Sequence, residues 1–292
     1  MSHPIEADLH MHTHYSDGTA SAESLLRAAQ SKGLKAIAIT DHDITTGNRE
    51  GQMFAKRYDV ELIPALEITV TWEGYTGHGG GSDIDLLAYF VGFDSPALER
   101  TEGILREGLL TRGTRAAELL RGRGFKVSLE DVLETNPYYP GYLPFIKTLV
   151  RSGQDELAAW ELLGEIWDVA GASPLSITEG ICAIHDMGAV AVLAHPSIVR
   201  RRSDGELLAE PGMAQLADAG LDAVEIFHYR LDPQQREHFT HLARHFDLIM
   251  TGGSDTHREP ELSKRFATEG VSMETVEKLR IKSEEIRKTR GA

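Results

Sequence analysis

Residues 8–18 read DLHMHTHYSDG, placing Asp8, His10, His12 and His14 at alternate positions with Asp17 three further on. In an extended strand, residues two apart project from the same face. The spacing predicts a strand whose imidazoles converge on one side while Leu9 and Met11 point to the other. A solvated strand gains nothing from stacked imidazoles. The alternatives are a metal site or coincidence, and the rest of the chain has to arbitrate.

The chain has 292 residues, 41% of them hydrophobic and 26% charged, which suits a globular protein with a full core. One cysteine, Cys182, excludes an internal disulfide and a cysteine-based zinc site and fits a reducing compartment. Its surroundings, ITEGICAIHDMGAVAVLAH, read as helix then strand, so a buried structural thiol is expected there rather than a nucleophile. The first ten residues carry no basic stretch followed by an apolar one, and no apolar run is long enough to span a bilayer. A cytoplasmic protein with no membrane partner is the expectation. The formal charge of −15, from 30 basic and 45 acidic residues, argues against duplex DNA as a partner. A small phosphorylated ligand stays open, because bound divalent cations invert a local field.

Short apolar runs alternate with helical ones. IEADLH reads as a strand, followed by the helix SAESLLRAAQSKG with Ser21 as N-cap and Gly33 as stop. KAIAIT, VELIPALEIT, DIDLLAYFVGF, AVAVLAH, AVEIFHY and DLIMTGGSD are further strands, apolar nearly throughout, as expected when both faces are covered. This alternation predicts an α/β fold with mainly parallel strands, read as a barrel. The rhythm breaks over residues 95–172, which are helical in composition, so residues 1–94 and 173–292 are expected to form the barrel around a helical insertion. Met53, Tyr58 and the tryptophans read as core or insertion packing.

Parallel barrels gather functional groups at the C-terminal ends of their strands. His10 and His12 end the first run, Asp41 and His42 follow KAIAIT, and Glu67 sits in PALEIT. His195 ends AVAVLAH, and Asp255 and His257 follow DLIMTGG. Randomly scattered histidines would have no reason to do this.

DLHMHTHYSDG, TDHD, LEI, AHPS and GGSDTH, in this order from residue 8 to residue 257, resemble the successive motifs of the PHP (polymerase and histidinol phosphatase) family. That resemblance implies a distorted (β/α)7 barrel holding two or three divalent metals and hydrolysing phosphate esters. It implies one site from His10, His12, Glu67 and Asp255, a second from Glu67 and His195, and a third from Asp17, His42 and His257. Where the family commonly supplies a further histidine to the second site, this chain has Asp85, with His78 in the preceding glycine-rich loop as the substitute. Mixed imidazole and carboxylate ligands suit zinc, iron(II) or manganese, and the carboxylate-rich set favours manganese. His14 is expected outside the ligand set, and Asp8 is expected to orient a ligating histidine.

Under the resemblance, a metal-bridged hydroxide attacks phosphorus, with Asp255 or His257 handling its proton. His228, in EIFHYR, is then expected to donate to the leaving group or bind phosphate. Arg200, Arg201 and Arg202 after HPSIV are candidates to clamp a second phosphate, and the insertion, which brings Arg112 and Arg115, is expected to close over the barrel mouth with Arg115 on substrate. The aromatics of NPYYPGYLPF are candidates for a wall against a base. The resemblance is greatest to stand-alone members acting on 3′,5′-nucleotide bisphosphates, with relatives that trim RNA from the 5′ end. Those relatives tend to carry an Arg-Pro-His element where this chain has Leu143-Pro144-Phe145. The expected activity is release of phosphate from a small nucleotide by a monomer or small homo-oligomer. A 5′-to-3′ exoribonuclease, a histidinol-phosphate phosphatase and a catalytically silent PHP regulatory module are the alternatives.

Overall fold

A computed structural model describes residues 4–258 and 264–290. The fold is mixed α/β. The first sheet is parallel, in the order β1 (Ala7–Asp8), β2 (Ala36–Ala38), β3 (Glu61–Ile63). The second has the order β10 (Ile249–Gly252), β9 (Ala223–Phe227), β7 (Val190–Leu193), β6 (Asp83–Tyr89), β4 (Ala65–Thr71). Two bridges tie the sheets together, His42 to Glu67 on one side and Met11 to Thr256 on the other. A two-stranded ribbon of β5 (Tyr75–Thr76) and β8 (Arg200–Arg201) stands apart.

The expectation of mainly parallel strands holds for β10, β9 and β7 but not for β6, which runs antiparallel to both β4 and β7. An apolar run carries no sign of its direction; the glycine-rich stretch WEGYTGHGGGSDID before it reads as a hairpin or loop, and across it β6 folds back antiparallel on β4. The reversal matters for the site. Asp85 lies near the start of its strand, and because that strand is reversed it arrives at the rim where the other strands end.

Period-two alternation sorts the side chains. Leu66, Ile68 and Val70 of β4, Ile84, Leu86 and Ala88 of β6, and Val224 and Ile226 of β9 join one core. That core is covered by α7 (Ile177–Asp186), α8 (Glu210–Asp218) and α9 (Pro233–His245). The alternate set, including Ala7, Ala36, Ile63, Ala65, Leu87, Val192 and Ala223, meets inside, against Val276, Leu279 and Ile286 of the C-terminal helix α10 (Met273–Arg290). Glu67, Asp85 and Glu225 belong to this inward phase and sit toward its open end.

Helix α1 (Ala22–Lys32) is capped by Ser21 and stopped by left-handed Gly33, as its sequence predicts. With α2 (Thr46–Tyr58) it covers the first sheet. Residues 95–172 hold α3 (Pro96–Gly122), α4 (Leu129–Thr135), α5 (Tyr142–Arg151) and α6 (Glu156–Ala170), which share a core around Leu120, Phe145, Leu163 and Trp167. Cys182, expected buried, is exposed: α7 turns Ile177, Ile181 and Ile184 inward and leaves position 182 outside. Among the described residues, no helix is long and apolar enough to cross a membrane.

Candidate metal centre

Glu67, Asp85 and Glu225 project from within β4, β6 and β9, and the other cluster residues come from segments that follow strands. His10 and His12 follow β1 in extended backbone, and neither is exposed. Their neighbour is the segment after β10: Asp255 N donates to His10 O (2.8 Å), and His12 N donates to Thr256 O (2.9 Å). Glycine makes this approach possible, since a Cβ on Gly253 would lie 2.3 Å from His10 N. His195 and Asp255 both adopt positive φ, 26° and 50°. Non-glycine residues are uncommon in that region, although aspartate and histidine enter it more readily than most.

The side chains converge. Glu67 Oε2 lies 3.2 Å from the Nε2 of both His10 and His12, while its Oε1 lies 3.2 Å from His195 Nε2. Asp255 Oδ1 is 3.5 Å from His10 and His12 and 3.2 Å from His257 Nδ1. Asp17 stands 3.2 Å from His257, 3.5 Å from His12 and 3.8 Å from His42. His78, Asp85 and His195 form another group, with Asp85 Oδ2 3.5 Å from His78 and 3.9 Å from His195. Both candidates for the extra position are therefore at the same place. His14, by contrast, is exposed and outside the cluster, bonded to Ala20 O.

Hydrogen bonding alone does not account for this packing. The two ring nitrogens of His12, His42 Nδ1, His195 Nδ1 and His228 Nε2 are buried yet meet no hydrogen-bond geometry, although carboxylate oxygens lie nearby. Buried polar atoms are nearly always satisfied. Ligand atoms that converge on common points while missing one another suit divalent cations between them, and four carboxylates supply the balancing charge. The donor set fits.

Without a cation, protons mediate the same attractions. Burial disfavours the charged form of His12, but Asp255 and Glu67 outweigh it and push its pKa up to about 10. Burial likewise opposes protonation of His10, His195 and His257, yet facing carboxylates raise all three. Burial would raise Glu67, Asp17 and Asp255, and the imidazoles around them hold all three down. Asp85 differs: burial, reinforced by Glu67, lifts it to about 6. His78 is nearly half exposed, but its enclosure within the cavity, His195 and Arg230 together lower its pKa to about 3, leaving a neutral imidazole.

The cluster forms the floor of a cavity of about 750 Å³, walled by the insertion through Leu109, Tyr139, Tyr142, Leu143, Trp160 and Trp167. The aromatic wall expected from NPYYPGYLPF is present, and two tryptophans expected only to pack also face the cavity. Arg112 of the insertion lines it, but Arg115, Arg200, Arg201 and Arg202 do not. Arg200 and Arg201 are taken up by the β5–β8 ribbon, Arg201 pairs with Asp204, and Arg202 donates to Tyr75 O. Arg115 lies on the exposed side of α3, three residues on from buried Arg112. Arg112 is itself engaged by Asp83, Asp168 and Trp167 O. The cavity's other arginines are Arg230, Arg258 and Arg265, none of which the sequence singled out.

Two further placements correct the sequence reading. His228, expected to meet substrate, is fully buried beneath the cluster: its Nδ1 accepts from Arg230 N (3.2 Å) and its Nε2 faces Asp255 Oδ2 at 3.4 Å. The turn through Tyr229 and Arg230 takes the cavity-facing position instead. Asp8, expected to orient a ligating ring, binds backbone, accepting from Ser254 N (2.8 Å) and Ala267 N (3.1 Å). The carboxylate that holds the His10 ring is Glu225, 3.0 Å from Nδ1, and it also accepts from His195 N at 2.8 Å. The sequence reading missed Glu225. A buried acid in the middle of the apolar run AVEIF was the available signal, because such a group needs a partner.

The PHP domain model matches residues 8–163, more than half of the chain, and the chain belongs to that family. It is 29% identical over 257 residues to a 5′-3′ exoribonuclease of Haemophilus influenzae, covering 86% of this chain and 89% of the relative. It is 27% identical over 262 residues to the 3′,5′-nucleoside bisphosphate phosphatase of Chromobacterium violaceum, covering 87% and 88%. Among solved structures, a Bifidobacterium adolescentis protein assigned as a metal-dependent phosphoesterase superposes with a TM-score of 0.81 at 25% identity, covering 96% of this chain and 98% of that one.

Proposed function

We propose that the chain is a metal-dependent phosphoesterase that releases phosphate from a small nucleotide, with the 3′-phosphate of a 3′,5′-nucleotide bisphosphate as the leading substrate. The observation that carries this reading is the imidazole–carboxylate cluster on the floor of a cavity of about 750 Å³, a size that suits a small molecule. The Chromobacterium relative supports the substrate class. We read the two bridged sheets as a distorted (β/α)7 barrel, and residues 95–172 as an insertion capping its mouth.

His10, His12, Glu67 and Asp255 would hold one cation, Glu67, His195, Asp85 and His78 a second, and Asp17, His42 and His257 a third, with manganese favoured by the ligand set. When bound, such cations neutralise phosphoryl oxygens and lower the pKa of a coordinated water. Asp255 and His257, 3.2 Å apart and both lining the cavity, are the pair assigned to accept the proton of the attacking water. Arg230, Arg258 and Arg265 line the cavity with Asp255 and His257, where a second phosphate would sit. Tyr142, Trp160 and Trp167 offer flat apolar surface to a base.

A phosphate-release screen with added manganese tests this reading. It should cover mononucleotides, 3′,5′-bisphosphates, short RNA and histidinol phosphate. The bisphosphates are expected to turn over fastest. His195→Ala and Asp255→Ala are each expected to lower that activity by at least about a hundredfold while remaining folded. Faster consumption of short RNA would transfer the assignment to the exoribonuclease activity named for the Haemophilus relative.

A further inference from the structure

The insertion approaches the cluster through one short loop, residues 136–141. The loop is anchored at its first residue. The Asn136 side-chain oxygen accepts from Tyr138 N (2.9 Å) and Tyr139 N (3.0 Å), and its amide nitrogen donates to Ser16 O (2.5 Å). The same amide lies 3.3 Å from His14 O and 3.4 Å from Tyr15 O. The loop is thus fastened to the turn that carries Asp17.

This anchoring delivers one side chain. The ring of Tyr139 stacks on that of His42, with centroids 5.6 Å apart and planes 16° from parallel. Only 9% of the residue is exposed, and it lines the cavity. The backbone makes room for it: a Cβ on Gly141 would lie 2.2 Å from the ring, so a larger residue would displace it. Its hydroxyl has no hydrogen-bond partner among the described residues. The hydroxyl is not sealed in with the ring but opens to the cavity, where it keeps a donor free for a bound group.

Neighbouring groups are already committed. The Tyr142 hydroxyl donates to Trp160 O (3.3 Å), Arg112 is held by Asp83 and Asp168, and Phe145 lies in the core of the insertion. Tyr139 is an uncommitted donor of the insertion over the Asp17–His42 corner of the cluster, where the Lys147 ammonium also acts on Asp17.

We propose that Tyr139 is a substrate-contacting residue whose phenolic O–H donates a hydrogen bond to a phosphoryl oxygen of a phosphate ester seated over His42 and Asp17. The phenol keeps its proton throughout and acts as a neutral donor at the charge-bearing group. The assignment rests on the phosphoesterase reading above.

The test compares wild type, Tyr139→Phe and Gly141→Ala, each loaded with manganese. Metal content is measured by elemental analysis, inorganic phosphate binding by calorimetry, and kcat and KM with p-nitrophenyl phosphate. Tyr139→Phe keeps the ring on His42 and removes only the donor. It is expected to hold as much metal as wild type, to bind phosphate about ten- to hundredfold more weakly, and to lose kcat/KM to a similar degree. Gly141→Ala is expected to reproduce the loss with the hydroxyl chemically intact. Equal phosphate affinity in wild type and Tyr139→Phe overturns the role of Tyr139 while leaving the phosphoesterase reading in place. A wild-type protein that holds metal yet neither binds phosphate nor cleaves any ester in the screen overturns both.

Discussion

Glu225 has no accessible surface and shares its carboxylate between His10 Nδ1 and the backbone N–H of His195. Burial raises its pKa, but His10, His228 and the bond to His10 hold it below the ordinary carboxylate range. A charged acceptor on Nδ1 fixes the ring and makes its other nitrogen a better ligand. Glu225→Gln keeps the shape and removes the charge. It is expected to weaken metal affinity by about 10–100-fold without unfolding the protein, measured by titrating metal into the chelator-treated variant. Metal affinity equal to wild type would remove Glu225 from the machinery. The contrast with His10 shows what the sequence made legible. HxH alone arises often by chance; it is readable because TDHD, LEI, AHPS and GGSDTH follow it in order. Glu225 stands alone in its strand, its partner His10 lies 215 residues away, and only the assembled register brings them together.

Elements show the same limit. Helices were readable from their caps: Ser21 and Gly33 bound α1 where the sequence places them. Direction and pairing of strands were not. The β5–β8 ribbon depends on partners distant in sequence and withdraws Arg200–Arg201 from the role their charge suggested, whereas β6 is reversed by its local antiparallel pairing with β4 across residues 72–82. Arg112 shows how an insertion legible as helical becomes part of the site. From α3 it reaches Asp83 at the start of β6 (2.5 Å), Trp167 O in α6 (3.0 Å) and Asp168 (3.4 Å), with its guanidinium 4.4 Å from the Trp167 ring. One side chain ties two insertion helices to the strand that carries Asp85. Arg112→Ala leaves Asp83 without its cation in a largely buried setting, which typically costs about 3–5 kcal/mol. A lowered urea midpoint and faster proteolytic cutting within residues 95–172 are expected. A variant with both unchanged would mean that the insertion is held by its apolar packing alone.

At the scale of the molecule, a chain of net charge −15 concentrates five carboxylates, Asp17, Glu67, Asp85, Glu225 and Asp255, and many imidazoles in one largely buried cluster. Protons and metal ions must compete there. A histidine whose pKa is higher folded than unfolded stabilises the fold fully below its unfolded value, near 6.5, and loses that contribution as pH rises through its folded value. His12, at about 10, and the raised His10, His195 and His257 belong to this class. Glu67, Asp17 and Asp255, held down, contribute above the ordinary carboxylate range and lose it on acidification. Chelator-treated protein should therefore lose thermal stability as pH rises from neutral toward about 10, the value His12 reaches. Metal-loaded protein should hold its stability over that interval, because cations prefer the neutral imidazoles that alkaline pH supplies. At neutral pH, metal binding must displace protons from the raised histidines. Calorimetric titration in two buffers of different ionisation enthalpy is expected to detect a net release of about one proton or more per chain. Heats identical in the two buffers would mean that the imidazoles are already neutral, and with that the charge balance assigned to the cluster would fall.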